Sequence, residues 1–131
     1  MKTLTSETVG EYTEKKSVFT ANLAPVSTEE AALVFVEKIK RENKRARHHC
    51  FAYIVRHEVR GSEAARYSDD GEPKGTAGLP MLTVLQKSGL MNVVCVVSRH
   101  FGGIKLGASG LCRAYTKAVA NAVKLGEFCD L

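Results

Sequence analysis

Eight of the chain's eleven glycines fall between residues 68 and 115, and seven of these are gathered into two loops that each run into a helical pattern. The first loop is Asp69-Asp70-Gly71-Glu72-Pro73-Lys74-Gly75-Thr76-Ala77-Gly78, and the second is Gly102-Gly103-Ile104-Lys105-Leu106-Gly107-Ala108-Ser109-Gly110. Between them lies an unbroken apolar stretch, residues 93–97, which suits a buried strand. Glycine admits positive φ and close approach, while a helix start presents free N–H groups and the positive end of a dipole. Both loops are therefore candidate anion sites. The competing reading is that these glycines serve only tight turns and close helix–sheet packing. Two loops around one strand favour anion binding, with Arg99, Lys105 and Arg113 bracketing the second.

The rest of the chain reads as strands and one further helix. Residues 17–24 alternate clearly, and residues 9–15 form a weaker strand candidate before them. Pro25 ends that strand, and Ser27 with Glu30 three residues on makes a capping box for a helix. Ala32, Phe35, Val36 and Ile39 give this helix an apolar face. Residues 50–55 are the next strand, and the segment around Ala65-Arg66-Tyr67 is placed to pair with it. A helix over 80–88, a strand over 92–99 and a helix over 111–125 follow, the last with Gly126 as its C-cap. The order argues for an α+β fold with helices on one face of a sheet.

Charge narrows the partners. Six bases (Lys38, Lys40, Arg41, Lys44, Arg45, Arg47) stand in residues 38–47 against the single acid Glu42, which accounts for the whole formal charge of +5. Bases in a last helical turn complement the dipole, but this run exceeds what capping needs. A phosphate-backbone or acidic-partner contact through Lys40, Arg41, Lys44, Arg45 and Arg47 becomes as strong a reading as a solvated helix end. No aromatic residues interleave with the bases, so sequence-specific nucleic-acid readout is not indicated. No apolar run approaches the roughly 18–20 residues of a membrane span. The N-terminus lacks a signal-peptide core, so a cytoplasmic protein with free, buried thiols at Cys50, Cys95, Cys112 and Cys129 is expected.

Specific enzyme motifs fail on inspection. Leu111 occupies the last position a G-x-S-x-G elbow would need as glycine, and Lys105 is followed by Leu106, not by the Ser or Thr of a Walker loop. Asp69, Asp70 and Glu72 could hold a hard cation, but Asp-Asp-Gly-Glu-Pro is more readily turn chemistry. His48 and Cys50 could share a metal on one strand face, yet two ligands make no site, so no metal and no cofactor is implied. Cys112, in a first helical turn, has no His beside it in sequence and reads as a packed thiol, and His100 has no acid–base partner in sequence.

Taken whole, the two loops resemble the signature segments of the IMPACT N-terminal family, which includes the bacterial YigZ-type proteins. The matching residues are 68–78 and 99–107 continuing to Arg113-Ala114-Tyr115. Lys15-Lys16-Ser17-Val18-Phe19 and His49-Cys50-Phe51-Ala52-Tyr53 resemble the family's other landmarks, in the right order. The resemblance implies a fold like the second domain of a small-subunit ribosomal protein, elongation factor G domain IV and the GHMP-type kinases, as a two-layer sheet with helices on one face. It also implies a role in translational control, with no catalytic activity firmly attached to the domain. The whole of residues 1–131 is expected to be one such domain, without the ferredoxin-like C-terminal domain usual in bacterial relatives. His100 departs from the family's usual Tyr, and Leu79 from a basic residue that often follows Thr-Ala-Gly.

The combined expectation is a non-enzymatic, translation-associated module contacting RNA, the ribosome or a translation-control protein. Its anion or ligand site is expected at Arg99, Gly102, Gly103, Lys105, Gly107, Ser109, Gly110 and Arg113, with Gly75 and Thr76 from the first loop. The alternative is a small-molecule phosphate or nucleotide-binding enzyme that uses the second loop as a kinase-like anion cradle.

Overall fold

A two-residue turn sets the register of the N-terminal half. Strands β2 (Thr8–Glu14) and β3 (Ser17–Pro25), which follow the short β1 (Lys2–Leu4), pair antiparallel with Glu14 opposite Ser17. Lys15 and Lys16 make the turn, with φ of 47° and 66°. Tight hairpins need positive φ at both central residues and usually place Asn or Gly there, so two lysines are held here at some backbone cost. The computed structural model describes residues 1–131.

After β3 come α1 (Glu29–Glu42), β4 (His48–Arg56), β5 (Glu63–Ser68), α2 (Gly78–Lys87), β6 (Val93–His100), α3 (Gly107–Leu125) and β7 (Phe128–Asp130). Five strands form one sheet in the order β2-β3-β6-β4-β5, every neighbouring pair antiparallel. β5 pairs with β4, as its sequence suggested. β1 and β7 pair separately, Lys2 opposite Asp130, a small sheet that the local pattern did not announce.

The central strand explains the layering. Side chains alternate across a strand, and in β6 Val93, Cys95 and Val97 join one apolar cluster while Val94 and Val96 join the other. The first cluster includes Met81 and Leu85 of α2 and Leu111, Tyr115 and Ala118 of α3. The second holds Ala32, Phe35, Val36 and Ile39 of α1. The α+β class stands, but the expectation of helices on one face does not: α1 covers the opposite face, making three layers. A strand that is apolar at every position must be covered on both sides.

Several boundaries also shift. The N-cap of α1 is Thr28, whose Oγ1 accepts from the Ala31 amide at 3.0 Å, one residue after the expected Ser27. α3 begins at Gly107, so the last four residues read as loop form its first turn. Of the thiols, Cys50 and Cys95 are buried and held protonated by desolvation, whereas Cys129 is exposed, against expectation.

The edge strand β2 is covered by α3 at very short range. A Cβ added to Gly10 would stand 2.3 Å from the Ala122 amide nitrogen and 2.5 Å from its Cα. Backbone cannot yield as a side chain does, so Gly10→Ala must push α3 off the sheet. Urea denaturation should show a loss of about 1–3 kcal/mol, the usual range for overpacking; an unchanged midpoint would mean the contact is slack.

On the α1 face, His49 is buried with Nδ1 3.0 Å from Ser98 Oγ. Burial lowers its pKa from the ordinary 6.5, with Lys40, His100 and His48 adding to the effect and Asp70 opposing it. The unfolded chain then binds a proton more readily than the native one as pH falls through about 6.5, so stability is full above that value and declines below it. Melting curves between pH 7.5 and 5 should show this decline, and His49→Gln should flatten it.

Candidate functional site

Arg99 stands where the buried run of β6 ends. It faces the α2/α3 side, in alternation with Val97, and pairs across the sheet with His48. It is 6% exposed, which requires a counter-charge. Glu72, from the first glycine-rich loop, supplies it: Arg99 Nη1 donates to both carboxylate oxygens, at 3.0 and 2.9 Å. Tyr115 Oη of α3 also donates to Glu72. Burial, with Cys50 and Glu72 adjacent, raises that phenol far above its ordinary range and keeps it a donor. His48 Nδ1 donates to the Asp70 carbonyl at 2.7 Å, leaving Nε2 3.6 Å from Glu72. Arg99 Nη2 lies 3.5 Å from Ser17 Oγ, and Arg99 Nε is buried with no partner.

The acids of the first loop are spent on the fold. Asp69 accepts from the amides of Gly75 (2.9 Å), Ala77 (3.2 Å) and Gly78 (2.9 Å), so its carboxylate caps the start of α2. Asp70 accepts from the His49 amide at 2.7 Å. Thr76 is buried and donates to the Pro73 carbonyl. Asp69 and Asp70 thus bond to backbone, as turn chemistry predicts, and the amide of Gly75 and the hydroxyl of Thr76 are engaged inside this loop.

The second loop is built differently. The Gly102 amide donates to Ser17 Oγ at 3.2 Å, and a Cβ at Gly102 would meet the Lys16 carbonyl oxygen at 2.1 Å. Only glycine lets this loop lie against the lysine turn. Leu106, the N-cap of α3, makes no side-chain cap bond, and the first turn holds no acid. A 19-residue helix therefore presents its positive end without a carboxylate of its own.

That helix start borders a cleft of about 460 Å³ lined by Arg47, His48, Glu72, Pro73, Arg99, Phe101, Lys105, Leu106, Gly107, Ala108 and Leu111. Of the expected residues, Arg99, Lys105 and Gly107 meet here. Gly102 and Gly103 shape the loop, while Ser109 and Gly110 sit further along the first turn of α3. Arg113 points elsewhere, paired with Glu14 of β2 at 2.9 Å. That pairing, with Tyr12 Oη 2.7 Å from Glu14, holds the Glu14 carboxyl below its usual pKa.

The basic run divides around the same end of the sheet. Lys38 and Lys40 face Glu7 and Glu37, at 3.8 and 3.9 Å. Arg41, Lys44 and Arg45 line a shallow hollow with His100 on the α1 side. Arg47 crosses over: its amide donates to the Arg99 carbonyl at 3.0 Å, and its guanidinium lies 5.3 Å from the Phe101 ring centre. Patch and second loop thus share one end of the sheet, on either side of His100 and Phe101.

Sequence reasoning missed Glu72 as the partner of Arg99, and His48 and Phe101 as cleft residues. A charged residue continuing the inward alternation of a buried strand was the signal, since it must find a carboxylate. Glu72→Gln should cost about 3–5 kcal/mol in chemical denaturation by leaving Arg99 buried and unpaired. The double variant Glu72→Gln/Arg99→Met should lose less than Glu72→Gln alone; a larger loss would show that the pair is not the governing term.

Comparison with known proteins agrees with this layout. The family model described as the Impact N-terminal domain matches residues 15–123. The IMPACT family member YvyE of Bacillus subtilis is 48% identical over 109 residues, covering 83% of this chain and 49% of that protein. YigZ of Escherichia coli is 46% identical over 110 residues, covering 84% and 53%. Human Protein IMPACT is 36% identical over 98 residues, covering 72% and 30%. The chain spans about half the length of the bacterial relatives it matches. Among solved structures, a crystal structure of a hypothetical protein superposes with a TM-score of 0.91 at 39% identity, covering 98% of this chain and 62% of the other. The two-domain translational regulator Yih1 superposes with a TM-score of 0.62 at 26% identity, covering 93% and 48%. No helix is long and apolar enough to cross a membrane. A family model matched across most of its length, with the landmark loops in place, makes this chain a member of the IMPACT family.

Proposed function

We propose that this domain acts in translational control by receiving phosphate groups of RNA or the ribosome at the basic end of its sheet. The observation that carries the reading is the convergence there of an uncapped helix start, Arg47, Arg99 and Lys105 in one cleft, flanked by Arg41, Lys44 and Arg45. The likeness to Yih1, a translational regulator, and to Protein IMPACT supports the biological setting. Glu72 neutralises one of the three permanent cations of the cleft, and no acid of the first turn of α3 opposes the rest. The cleft works as a receptor for anions in this reading, and the flank supplies longer-range attraction that salt screens. A translation-control protein with a phosphorylated or acidic segment is the other partner this surface suits.

Fluorescence anisotropy with single-stranded RNA tests the reading. Arg41→Glu/Lys44→Glu/Arg45→Glu lies outside the cleft and should weaken binding. If each base meets one phosphate, the slope of log K against log salt should flatten by about 2. Unchanged affinity and slope would remove the patch from the account.

A further inference from the structure

We infer that the outer edge of β5 docks an extended segment of a partner protein, one that alternates apolar and acidic residues and adds a sixth strand to the five-stranded sheet. The inference is independent of the basic end and of the reading above. It begins with a difference between the two edges of the sheet. At β2 the edge is closed: Asn121 of α3 donates through Nδ2 to the Glu11 carbonyl at 2.9 Å, and Gly10 lies against the backbone of Ala122. β5 is the last strand at the other edge, and its Glu63, Ala65, Arg66 and Tyr67 are exposed. The hairpin fixes the direction of its backbone groups. The His57 amide donates to the Ser62 carbonyl at 2.8 Å, so in the antiparallel register Ala64 and Arg66 bond to β4, while Glu63, Ala65 and Tyr67 turn their amides and carbonyls outward. Arg66 agrees with this, because its Nη1 reaches round to the Ala65 carbonyl at 3.1 Å. An edge carbonyl met only by a neighbouring side chain is open to an incoming backbone donor.

The side chains along this edge decide what fits it. Tyr67 faces α2, since a Cβ added to Gly78 would stand 2.7 Å from its ring, yet it stays 46% exposed. Leu79, the next residue of α2, is 45% exposed. A strand laid beside β5 would cover apolar surface on that side. The opposite side carries Arg66, which pairs with Tyr53 in register and makes its one hydrogen bond to Ala65, whereas Arg56 is paired with Glu63 at 3.0 Å. An incoming strand therefore meets apolar groups on one side and an unpaired cation on the other, which the period-2 alternation of apolar and acidic residues matches. A second copy of this chain fits badly. Antiparallel self-pairing about Ala65 would bring Arg66 of each copy to diagonal positions on one face, like charges with no acid between them. Charge of this kind blunts self-pairing at sheet edges, and a carboxylate on a different partner turns the same charge into an attraction.

The experiment adds two fluorescein-labelled nonapeptides to the full chain, one alternating valine with glutamate and one alternating valine with lysine. The glutamate peptide should bind about tenfold tighter than the lysine peptide, and it should slow amide exchange at Glu63, Ala65 and Tyr67. Ala65→Pro removes an outward N–H and no bond to β4, a place where edge strands accept proline, and should abolish binding in a chain that still melts cooperatively. Arg66→Glu leaves the backbone groups in place and should reverse the preference, so the test does not rest on the proline variant alone. The Arg41→Glu/Lys44→Glu/Arg45→Glu variant should still protect the same three amides. No binding at millimolar glutamate peptide, or β5 amides that exchange equally fast with and without it, would overturn the inference. Binding that is lost in the triple variant and indifferent to Arg66→Glu would assign the acidic peptide to the basic patch and also overturn it. A chain that sediments as a dimer, becomes monomeric on Ala65→Pro and binds neither peptide would make a second copy the occupant and overturn the partner segment.

Discussion

The buried pair of Arg99 and Glu72 is the contact on which the rest of this end of the molecule depends. Removing a guanidinium from water costs several kcal/mol, so β6 can end in Arg99 only if a carboxylate is delivered to it. That carboxylate arrives on the first glycine-rich loop, and Tyr115 of α3 completes its bonding. One ion pair thus ties the central strand, the loop before α2 and the face of α3. Because Glu72 is committed to this role, the other loop acids take neighbouring tasks. Asp69 closes the start of α2, and Asp70 fixes the first residues of β4.

The two glycine-rich loops look alike in sequence and behave oppositely. In the first, a carboxylate from the same loop already meets the amides that an incoming anion would need. In the second, leucine holds the capping position and a lysine precedes it, so the first turn has no acid of its own, and Glu72 across the cleft is committed to Arg99. Both arrangements cost something: the first uses up a binding surface, and the second forgoes a cap usually worth about 0.5–2 kcal/mol. The longest helix of the chain thus starts uncapped beside Arg47, Arg99 and Lys105, the local inconsistency on which the proposed function rests.

Much of the scaffold was legible because local patterns were strong. The alternation in β3, the apolar face of α1 and the unbroken run in β6 each name an element and its buried side. The docking of α1 was misjudged, although the β6 run contained the information: valines facing both ways need cover on both faces. The start of α3 was set too late, because Gly107 and Gly110 are poor helix formers and the dipole contribution of a first turn leaves no mark in composition. β1 and β7 escaped notice because three-residue strands at opposite ends of the chain carry no periodicity. Arg99, Lys105 and Gly107 were legible as neighbours in one cleft through charge beside glycine. Phe101, His48 and Glu72 were not, since their meeting depends on strand register and on a loop folding back across more than twenty residues.

Register also gives the charge asymmetry of the chain its meaning. His48 pairs with Arg99 and Val18 pairs with His100, so the start of β4, the end of β6 and the lysine turn before β3 lie side by side. The basic run that begins in the last turns of α1 leads into that same edge, and Arg47 is the residue at which it reaches the cleft side. Had the run ended two residues earlier, Arg41, Lys44 and Arg45 would form a hollow on the α1 side with no link to the cleft. Had the sheet placed β4 away from β6, the helix start would face a neutral wall. The antiparallel pairing of β4 with β6 is therefore what joins a general electrostatic surface to a shaped pocket. In the proposed function, that arrangement is what would let long-range attraction gather a phosphate-bearing partner ahead of short-range contacts in the cleft.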